Sequence, residues 1–274
     1  MTVRVFAPAK INLTLHVTGQ RDDGYHLLDS LVVFADVGDE VSAIKGEGLT
    51  LVVSGSEGEA VPVSNNNSIL QAARFMGASG ISFSLIKNLP TAAGIGGGTA
   101  DAAAALRAIS KLQNIRIPAN VLPLGADVPV CLQGGATRMS GVGELLKPLA
   151  ALPRIYAVLV NPRVEVSTAE IFASMADKDN APMPSAIPEF NAAQEFGAWL
   201  SDQRNDLQET AIRVQPKIAT VLSVLESTSG LLTRMSGSGA TCFALFDSAD
   251  VASTTAKMIQ HDYPDWWVRD TRLN

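Results

Sequence analysis

Residues 90–107 read PTAAGIGGGTADAAAALR, a glycine-rich turn that leads directly into an alanine-rich stretch. Glycine lets the backbone adopt positive φ and approach a ligand closely, and alanine is the strongest helix former. The first turn of a helix presents unpaired N–H groups and a partial positive charge, which favour a bound anion. The segment therefore predicts a phosphate-binding loop that opens a helix, with a nucleoside triphosphate as its ligand. Taken alone, it also fits a tight structural connection.

The spacing of the glycines excludes the two most familiar nucleotide fingerprints. A Walker loop requires Gly-Lys-Ser/Thr, and the chain contains no Gly-Lys pair. The dinucleotide pattern GxGxxG fails because Thr99 stands at the third glycine position, and the same test that starts at Gly237 meets Cys242. A nicotinamide-dependent oxidoreductase is therefore disfavoured.

A second candidate for chemistry is the segment PAKINLTLHV, residues 8–17, which is followed by DDGYHLL. Lys10 and Asn12 fall on the same face of a strand, so that an ammonium and an amide can face one ligand. A lysine at a strand edge is the alternative. Tyr25 and His26 form an aromatic pair that suits a flat base, although such a pair also occurs in ordinary turns.

Two further segments carry polar groups among apolar neighbours. Asp127, in LGADVPVCL, is costly to bury unless it is paired or used, and Lys10 is a plausible partner; a helix or turn cap is the equal alternative. The segment MSGSGATCFALF, residues 235–246, is a glycine turn between apolar strands. It fits a simple hairpin or a turn that contacts an anion.

Composition limits the class of protein. The chain has 274 residues, of which 47% are hydrophobic and 18% charged, as in compact folded proteins. A net charge of −6 and a pI near 5.1 disfavour nucleic acid or an anionic membrane as the main partner. Cys131 and Cys242 lack metal-ligand spacing, so we expect reduced, buried thiols and a cytoplasmic protein. We also expect no signal peptide and no spanning segment.

Apolar periodicity predicts a mixed first half and a strand–helix–strand–strand–helix–strand second half. Apolar residues with period two predict strands over 3–17 and 81–85, and 31–34, 41–44 and 50–53 are predicted as further short strands, with breaks at Gly38 and at 46–48. Asn67 and its neighbours offer caps for a helix near 69–75. In the second half we predict strands at 155–160, 231–235, 241–246 and 266–269, helices at 168–175, 216–227 and 249–261, and an exposed loop at 178–188.

Five segments, in this order, resemble the galactokinase, homoserine kinase, mevalonate kinase and phosphomevalonate kinase (GHMP kinase) superfamily: PAKINLTLHV, DDGYHLL, NLPTAAGIGGGTADAAAALR, LGADVPVCL and MSGSGATCFALF. The resemblance extends over nearly the whole chain. PAKIN and GYH are the most specific pieces, and they are similar to the members that phosphorylate a cytidine-diphosphate-linked methylerythritol in non-mevalonate isoprenoid synthesis.

The resemblance implies an α+β, two-domain GHMP kinase fold. Residues 1–152 would form the N-terminal, ribosomal-protein-like α/β domain that binds ATP, and residues 153–274 a C-terminal ferredoxin-like α/β sandwich. It also implies a small-molecule kinase that uses ATP with Mg²⁺. Neither a metal ligand nor an oligomeric state follows from the sequence.

The resemblance also implies the roles of individual residues. Asp127 matches the catalytic aspartate and Lys10 its partner lysine. The implied ATP-binding residues are Asn67, Lys87, Pro90, Thr91, Ala92, Ala93, Gly94, Ile95, Gly96, Gly97, Gly98, Thr99, Ala100 and Asp101. The implied substrate-binding residues are Asn12, Tyr25, His26, Thr168, Phe172, Gly237, Ser238 and Gly239.

The chain departs from the family pattern in the loop, where Thr91, Ala92 and Ala93 replace glycines and Asp101 replaces a frequent asparagine. The stretch 114–124 is also short, and a helix is expected to be missing there. A superfamily decarboxylase, a kinase of another small alcohol and a nucleotide-binding sensor without catalysis stay open as alternatives. The decarboxylase leaves the Tyr25-His26 pair unexplained, because its substrate lacks a base, and retention of Lys10 and Asp127 argues against the sensor.

Overall fold

The computed structural model describes residues 1–150 and 152–274. The strands in this part of the chain, β1 to β11, are Val3–Asn12, His16–Gln20, His26–Lys45, Leu49–Ser54, Ile81–Ile86, Thr137–Gly141, Leu145–Pro148, Ile155–Asn161, Leu232–Met235, Cys242–Phe246 and Trp267–Leu273. The helices, α1 to α8, are Ser68–Phe75, Gly97–Gln113, Val128–Gln133, Thr168–Ser174, Ala193–Ser201, Gln208–Val214, Lys217–Glu226 and Ala249–Asp262, and Leu122–Leu124 is a 3-10 turn.

The chain forms two compact units, each assembled from separate segments. Unit 1 comprises Met1–Lys10, Val37–Thr91 and Gly96–Gly134. Unit 2 comprises Ile11–Asp36, Ala92–Ile95 and Gly135–Asn274. The division of the chain at residue 152 stays a prediction.

In unit 1, a short sheet supports two helices. β4 runs parallel to β5, which pairs antiparallel with the end of β3. α1 packs against α2, whose alanine-rich sequence leaves ten of its side chains buried. Because alanine has a small side chain and a high helix propensity, this helix can be both regular and closely packed. Between residues 114 and 124 the structure has the 3-10 turn as its only helical element. That a helix of the family is missing there stays a prediction.

In unit 2, β8, α7, β9, β10, α8 and β11 follow the predicted alternation, and the strands pair antiparallel in the order β11-β8-β10-β9. This arrangement confirms the ferredoxin-like sandwich. Its core includes Val158, Leu225, Met235 and Ile259, all of them buried. The structure adds α5 and α6, which the sequence patterns did not predict, and the strand at Trp267–Leu273 continues beyond the predicted end.

The prediction of two strands separated at Gly38 was wrong. β3 is a single strand of 20 residues that continues through this glycine. A Cβ at Gly38 would lie 2.3 Å from the backbone oxygen of Ala7, so glycine serves here for the close approach of a neighbouring backbone rather than for a turn.

The remaining sequence-level expectations concern the loop, the cysteines and the membrane. Residues 178–188 contain no helix or strand, although Met183 within them is buried. Cys131 and Cys242 are both free thiols and both buried, as expected. In the part of the chain that the structure describes, no helix has the length and apolar character needed to cross a membrane.

Candidate active site

Lys10 and Asp127 form an ion pair in unit 1. Lys10 lies near the end of β1 and Asp127 directly precedes α3; the distance from Lys10 Nζ to Asp127 Oδ2 is 3.0 Å. The lysine side chain is 5% exposed, whereas that of the aspartate is 29% exposed. Asp127 occupies the cap position of α3 but makes no side-chain cap hydrogen bond. Its carboxylate is thus directed to the ammonium and to solvent rather than used to cap the start of the helix.

The start of α2 packs against this lysine. Gly96 precedes the helix with a φ of 64°. A Cβ at this position would come within 3.2 Å of Lys10 Cβ and Lys10 Cε. Thr99 Oγ1 donates a hydrogen bond of 2.8 Å to the Gly96 carbonyl, which fixes the turn. The ion pair and the first turn of α2 therefore belong to one site within unit 1.

The backbone at the start of α2 is suited to an anion. No side chain caps the helix, and its first backbone hydrogen bond runs from Ala100 N to Gly96 O. The amides of Gly97, Gly98 and Thr99 thus have no acceptor within the helix. Gly98 is exposed, and a Cβ there would meet no atom closer than Ser68 Oγ at 3.9 Å. This open surface of amides fits phosphate oxygens.

Lys87 lies in a buried cluster of charges beside this helix start. Lys87 Nζ is 2.5 Å from Asp39 Oδ2 and 2.8 Å from Asp101 Oδ2. Asp39 Oδ1 accepts hydrogen bonds from the amides of Asn88 and Leu89. A Cβ at Gly97 would lie 3.0 Å from Lys87 Nζ, so the cluster is adjacent to the glycine-rich start of α2.

In this buried cluster, one ammonium (Lys87) is shared by two carboxylates (Asp39 and Asp101), and this arrangement determines their protonation. Burial, followed by the negative charge of Asp39, raises the pKa of Asp101 to about 7, although Lys87 opposes the shift. Burial alone would lower the pKa of Lys87, but the carboxylates of Asp101 and Asp39 more than offset it, and the net shift is upward. Asp101 Oδ1 is buried without a hydrogen-bond partner among the described residues.

Asn67, predicted near the nucleotide, caps α1. Its Oδ1 accepts a hydrogen bond from Ile69 N at 2.9 Å, and its Nδ2 donates to the Pro62 carbonyl at 2.9 Å. Asn67 is buried and belongs to unit 1, as do Pro90 and Thr91. Its carboxamide therefore orders the start of this helix, as the sequence also suggested.

In unit 2, His26 stacks on Phe172, with ring centroids 4.5 Å apart and an interplanar angle of 22°. Burial and the positive charge of Lys178 lower the pKa of His26, which keeps the ring neutral at pH 7. Among the described residues, its buried Nε2 has no hydrogen-bond partner. The adjacent Tyr25 is 61% exposed. The stacked rings and the exposed Tyr25 offer aromatic surface to a ligand.

The first half of the glycine loop, Ala92–Ile95, belongs to unit 2 and contacts the turn 236–241 between β9 and β10. Ser236 Oγ donates to the Gly94 carbonyl at 3.1 Å, and Thr241 N donates to the Ala93 carbonyl at 3.2 Å. Gly94 has a φ of 71°, and a Cβ there would lie 2.4 Å from the Ser236 carbonyl oxygen. Only glycine fits this position without a backbone shift.

The same turn contacts two predicted substrate residues. Ser238 Oγ and Thr168 Oγ1 share a hydrogen bond of 2.7 Å, and Gly237 and Gly239 flank Ser238 at positive φ. The backbone N–H of Asn12 donates to Ser236 Oγ at 3.0 Å, and its side-chain Nδ2 donates to Ser30 Oγ at 2.8 Å. Within unit 2, the structure thus joins Asn12, Thr168 and the glycine turn through Ser236 and Ser238.

Sequence reasoning missed Asp39 and Ser236. Asp39 is an acidic residue within a largely apolar strand, a signal similar to that of Asp127 among its apolar neighbours, and it is fully buried. Ser236 stands in the turn whose glycines were predicted, but nothing in its type indicates a contact with a loop so distant in sequence. Within residues 1–150 and 152–274 there is no group of three or more His, Cys, Asp or Glu side chains placed to hold a metal ion.

Comparison with known proteins matches two family models to the chain. The model of the GHMP kinases N terminal domain matches residues 67–138, and the model of the GHMP kinases C terminal matches residues 186–265. The first covers α2 with its glycine loop and Asp127. The second covers the turn 236–241.

Relatives and a solved structure are similar over nearly the whole chain. A 4-diphosphocytidyl-2-C-methyl-D-erythritol kinase of Cereibacter sphaeroides is 53% identical over 98% of both chains. The enzyme of that name in Ruegeria pomeroyi is 50% identical over 100% of both. A crystal structure of 4-(cytidine 5'-diphospho)-2C-methyl-D-erythritol kinase superposes with a TM-score of 0.78 at 29% identity and covers 99% of each chain. The chain therefore belongs to the GHMP kinases, in the family of the 4-diphosphocytidyl-2-C-methyl-D-erythritol kinases.

Proposed function

We propose that the protein transfers the γ-phosphoryl group of ATP to a hydroxyl of 4-diphosphocytidyl-2-C-methyl-D-erythritol, giving the 2-phosphate and ADP in non-mevalonate isoprenoid precursor synthesis. The observation that carries the proposal is the ion pair of Lys10 and Asp127, which lies beside an uncapped helix start in a member of this kinase family. The cytoplasm, which supplies ATP, is the compartment that we propose for the reaction.

Asp127 is the residue that we assign to the attacking hydroxyl. Phosphoryl transfer passes through a loose transition state, so that catalysis depends mainly on position and on neutralised charge. A carboxylate can orient the hydroxyl and accept its proton as the oxygen attacks the γ-phosphorus. The partial exposure of Asp127 leaves room for a substrate oxygen.

Lys10 complements this carboxylate. Its ammonium lies 3.0 Å from Asp127 Oδ2, which holds the aspartate in one orientation. As the hydroxyl loses its proton, the same positive charge stabilises the negative oxygen that forms. Lysine is suited to this role because its ammonium acts as a compact point charge with three donors.

The triphosphate binds along the glycine loop and the start of α2. The amides of Gly97, Gly98 and Thr99, together with the helix dipole, stabilise the charge that develops on the leaving ADP. The other residues that we assign to ATP belong to the same loop and helix start: Pro90, Thr91, Ala92, Ala93, Gly94, Ile95, Gly96, Ala100 and Asp101. We place Asn67 and Lys87 towards the adenosine. Magnesium would accompany ATP and would neutralise part of the charge on its phosphate groups, and we assign no side chain as its ligand.

The cytidine end of the substrate binds to aromatic rings. We assign Tyr25, His26 and Phe172 to the cytosine, because an aromatic face stacks on a flat base. We assign five further residues to the polar parts of the substrate: Asn12, Thr168, Gly237, Ser238 and Gly239. Recognition of a base far from the reacting oxygen gives specificity that a simple alcohol cannot supply.

The decisive experiment is an ADP-release assay on a panel of alcohols, with and without a cytidine diphosphate group. We expect phosphorylation of the cytidylylated methylerythritol alone. Release of carbon dioxide from a diphosphorylated acid would indicate a decarboxylase, turnover of alcohols without the base would indicate a small-alcohol kinase, and ATP binding without any turnover would indicate a sensor.

A further inference from the structure

Asn205 lies in unit 2 between α5 and α6 and uses its whole carboxamide. Nδ2 donates to the carbonyls of Met235 at 2.8 Å and Gly237 at 2.9 Å, and Oδ1 accepts from Leu207 N at 3.0 Å. The side chain is buried. Two carbonyls on one side and an N–H on the other fix which atom is nitrogen and which is oxygen.

The segment that carries Asn205 is held in place independently of this side chain. Leu15 N donates to the Arg204 carbonyl and Asp206 N donates to the Leu15 carbonyl, each at 2.8 Å. Asp206 Oδ2 also accepts from Val17 N at 2.8 Å. Because the backbone around Asn205 is anchored to neighbouring residues 15 and 17, the carboxamide acts as a fixed point for the turn 236–241.

The Asn205 carboxamide holds the first half of the turn 236–241. Gly237 has a φ of 57° and Gly239 a φ of 87°. Glycine adopts such positive φ values without the steric cost that other residues incur. Inside the turn, Gly239 N donates to Ser236 O at 3.0 Å and Ser236 N donates to Thr241 O at 2.9 Å. The two bonds from Asn205 fix the carbonyls of the residues on either side of Ser236.

The turn 236–241 contacts two residues that we assign to the reaction. Ser236 Oγ bonds to the Gly94 carbonyl in the glycine loop, and Ser238 Oγ bonds to Thr168 Oγ1. A loosened carbonyl at residue 235 or 237 would therefore move both a phosphate-binding segment and a substrate-binding hydroxyl. Neither effect requires Asn205 to touch a ligand.

We propose that Asn205 is a positioning residue for phosphoryl transfer, which acts by fixing the turn 236–241 and, through that turn, Gly94 and Thr168. The proposal rests on the proposed function, because it assigns Asn205 a role in that same reaction. It adds a residue outside the predicted site, which hydrogen-bonds to one of the predicted site residues, Gly237.

Asn205→Asp is the sharpest test. The carboxylate still accepts the Leu207 amide but presents an oxygen, rather than two N–H donors, to the carbonyls of Met235 and Gly237. We expect KM to rise for both ATP and the cytidylylated substrate and kcat/KM to fall about 10- to 100-fold. The matched control is Asn191→Asp, the same change at an exposed residue, which we expect to leave all three constants unchanged.

A purely structural role predicts a different result. It would lower the melting temperature and the folded fraction but leave both KM values of the folded enzyme at wild-type level, and that result would overturn the proposal. Amide hydrogen exchange gives a second readout: exchange should accelerate across 236–241 in the variant and stay unchanged at residues 15–17.

Two further variants keep the test decisive if Asn205→Asp does not fold. Asn205→Ala removes the same donors without placing a charge beside two carbonyls, and Ser236→Ala breaks the connection to Gly94 from the other end. Wild-type KM values in folded Asn205→Ala would refute the positioning role. If Asn205→Ala does not fold either, wild-type KM values in Ser236→Ala would refute it. If instead the wild-type enzyme does not phosphorylate the cytidylylated substrate, the proposed function fails, whatever the variants show.

Discussion

The Lys10 ammonium lies 3.0 Å from the Asp127 carboxylate, although one residue lies near the end of the first strand and the other precedes a short helix in the middle of the chain. The lysine is almost completely buried, while the aspartate is partly exposed. Such an arrangement holds a charged carboxylate in a fixed direction and leaves one side of it accessible. It therefore suits a group that must receive a proton from a substrate.

Replacement of Asp127 by alanine should abolish turnover. We expect kcat to fall by at least about 10³-fold, because the group that orients and deprotonates the hydroxyl is lost. The dissociation constant of ATP should change by less than about threefold, since the carboxylate acts on the hydroxyl rather than on the triphosphate. Single-turnover kinetics and calorimetric titration with ATP measure the two effects.

The control for this variant is Asp265→Ala, which removes an exposed carboxylate. Circular dichroism must show that both proteins are folded, because Lys10 loses this partner in the first of them. Near-normal turnover in folded Asp127→Ala would remove the assigned mechanism.

Replacement of Tyr25 by alanine should weaken binding of the base. We expect KM for the cytidylylated substrate to rise about 3- to 10-fold, the loss of one aromatic contact, while KM for ATP stays nearly constant. Because Tyr25 is 61% exposed, the melting temperature should change little. Steady-state kinetics with each substrate varied in turn make the comparison, and equal increases in both KM values would contradict the assignment.

Replacement of Gly94 by alanine should destabilise the fold. Its φ of 71° is unfavourable for alanine, and the new Cβ would lie 2.4 Å from the Ser236 carbonyl oxygen. Together these effects should lower the free energy of unfolding by about 2–4 kcal/mol. Urea denaturation followed by fluorescence measures it.

Gly77→Ala is the matched control for Gly94→Ala. Gly77 has a φ of 63° but no atom within 4 Å of the position that a Cβ would take. We expect a loss of only about 1 kcal/mol, from the backbone conformation alone. Equal losses at the two positions would mean that the turn 236–241 does not confine Gly94.

Replacement of Asp101 by asparagine should change how stability depends on pH. The folded protein holds a proton on Asp101 up to about pH 7, whereas the unfolded chain releases it near pH 3.8. Since the folded state binds more protons in this interval, this group lowers the free energy of unfolding as the pH rises through it. Asparagine cannot ionise, so the variant should gain about 2 kcal/mol relative to the wild type between pH 5 and pH 8.

Urea denaturation at the two pH values tests this prediction, with Asp265→Asn as the control at an exposed carboxylate. The control should follow the wild type at both values. A difference between Asp101→Asn and the wild type that does not change with pH would show that Asp101 is ionised throughout the interval.

Sequence patterns alone predicted most of the helices and strands. They failed at Gly38, because a glycine that admits a neighbouring backbone has the same composition as one that makes a turn. They also failed at α5 and α6, whose cap positions are Ala192 and Leu207 and form no side-chain cap hydrogen bond. Without a polar cap, a short helix carries little local signal of its start.

The sequence by itself determined the glycine-rich turn, the helix that follows it and the family, and it singled out Lys10 and Asp127 as the candidate catalytic pair. These properties depend on local backbone preferences and on motifs that are contiguous in the chain. Only the tertiary structure decided that Asp127 pairs with Lys10 rather than capping a helix, that Lys87 shares two buried carboxylates, and that Asn205 fixes the turn beside Gly94. Each of these contacts joins residues far apart in sequence, and their hydrogen bonds and charges are matched only when the packed core brings them within 3 Å of one another.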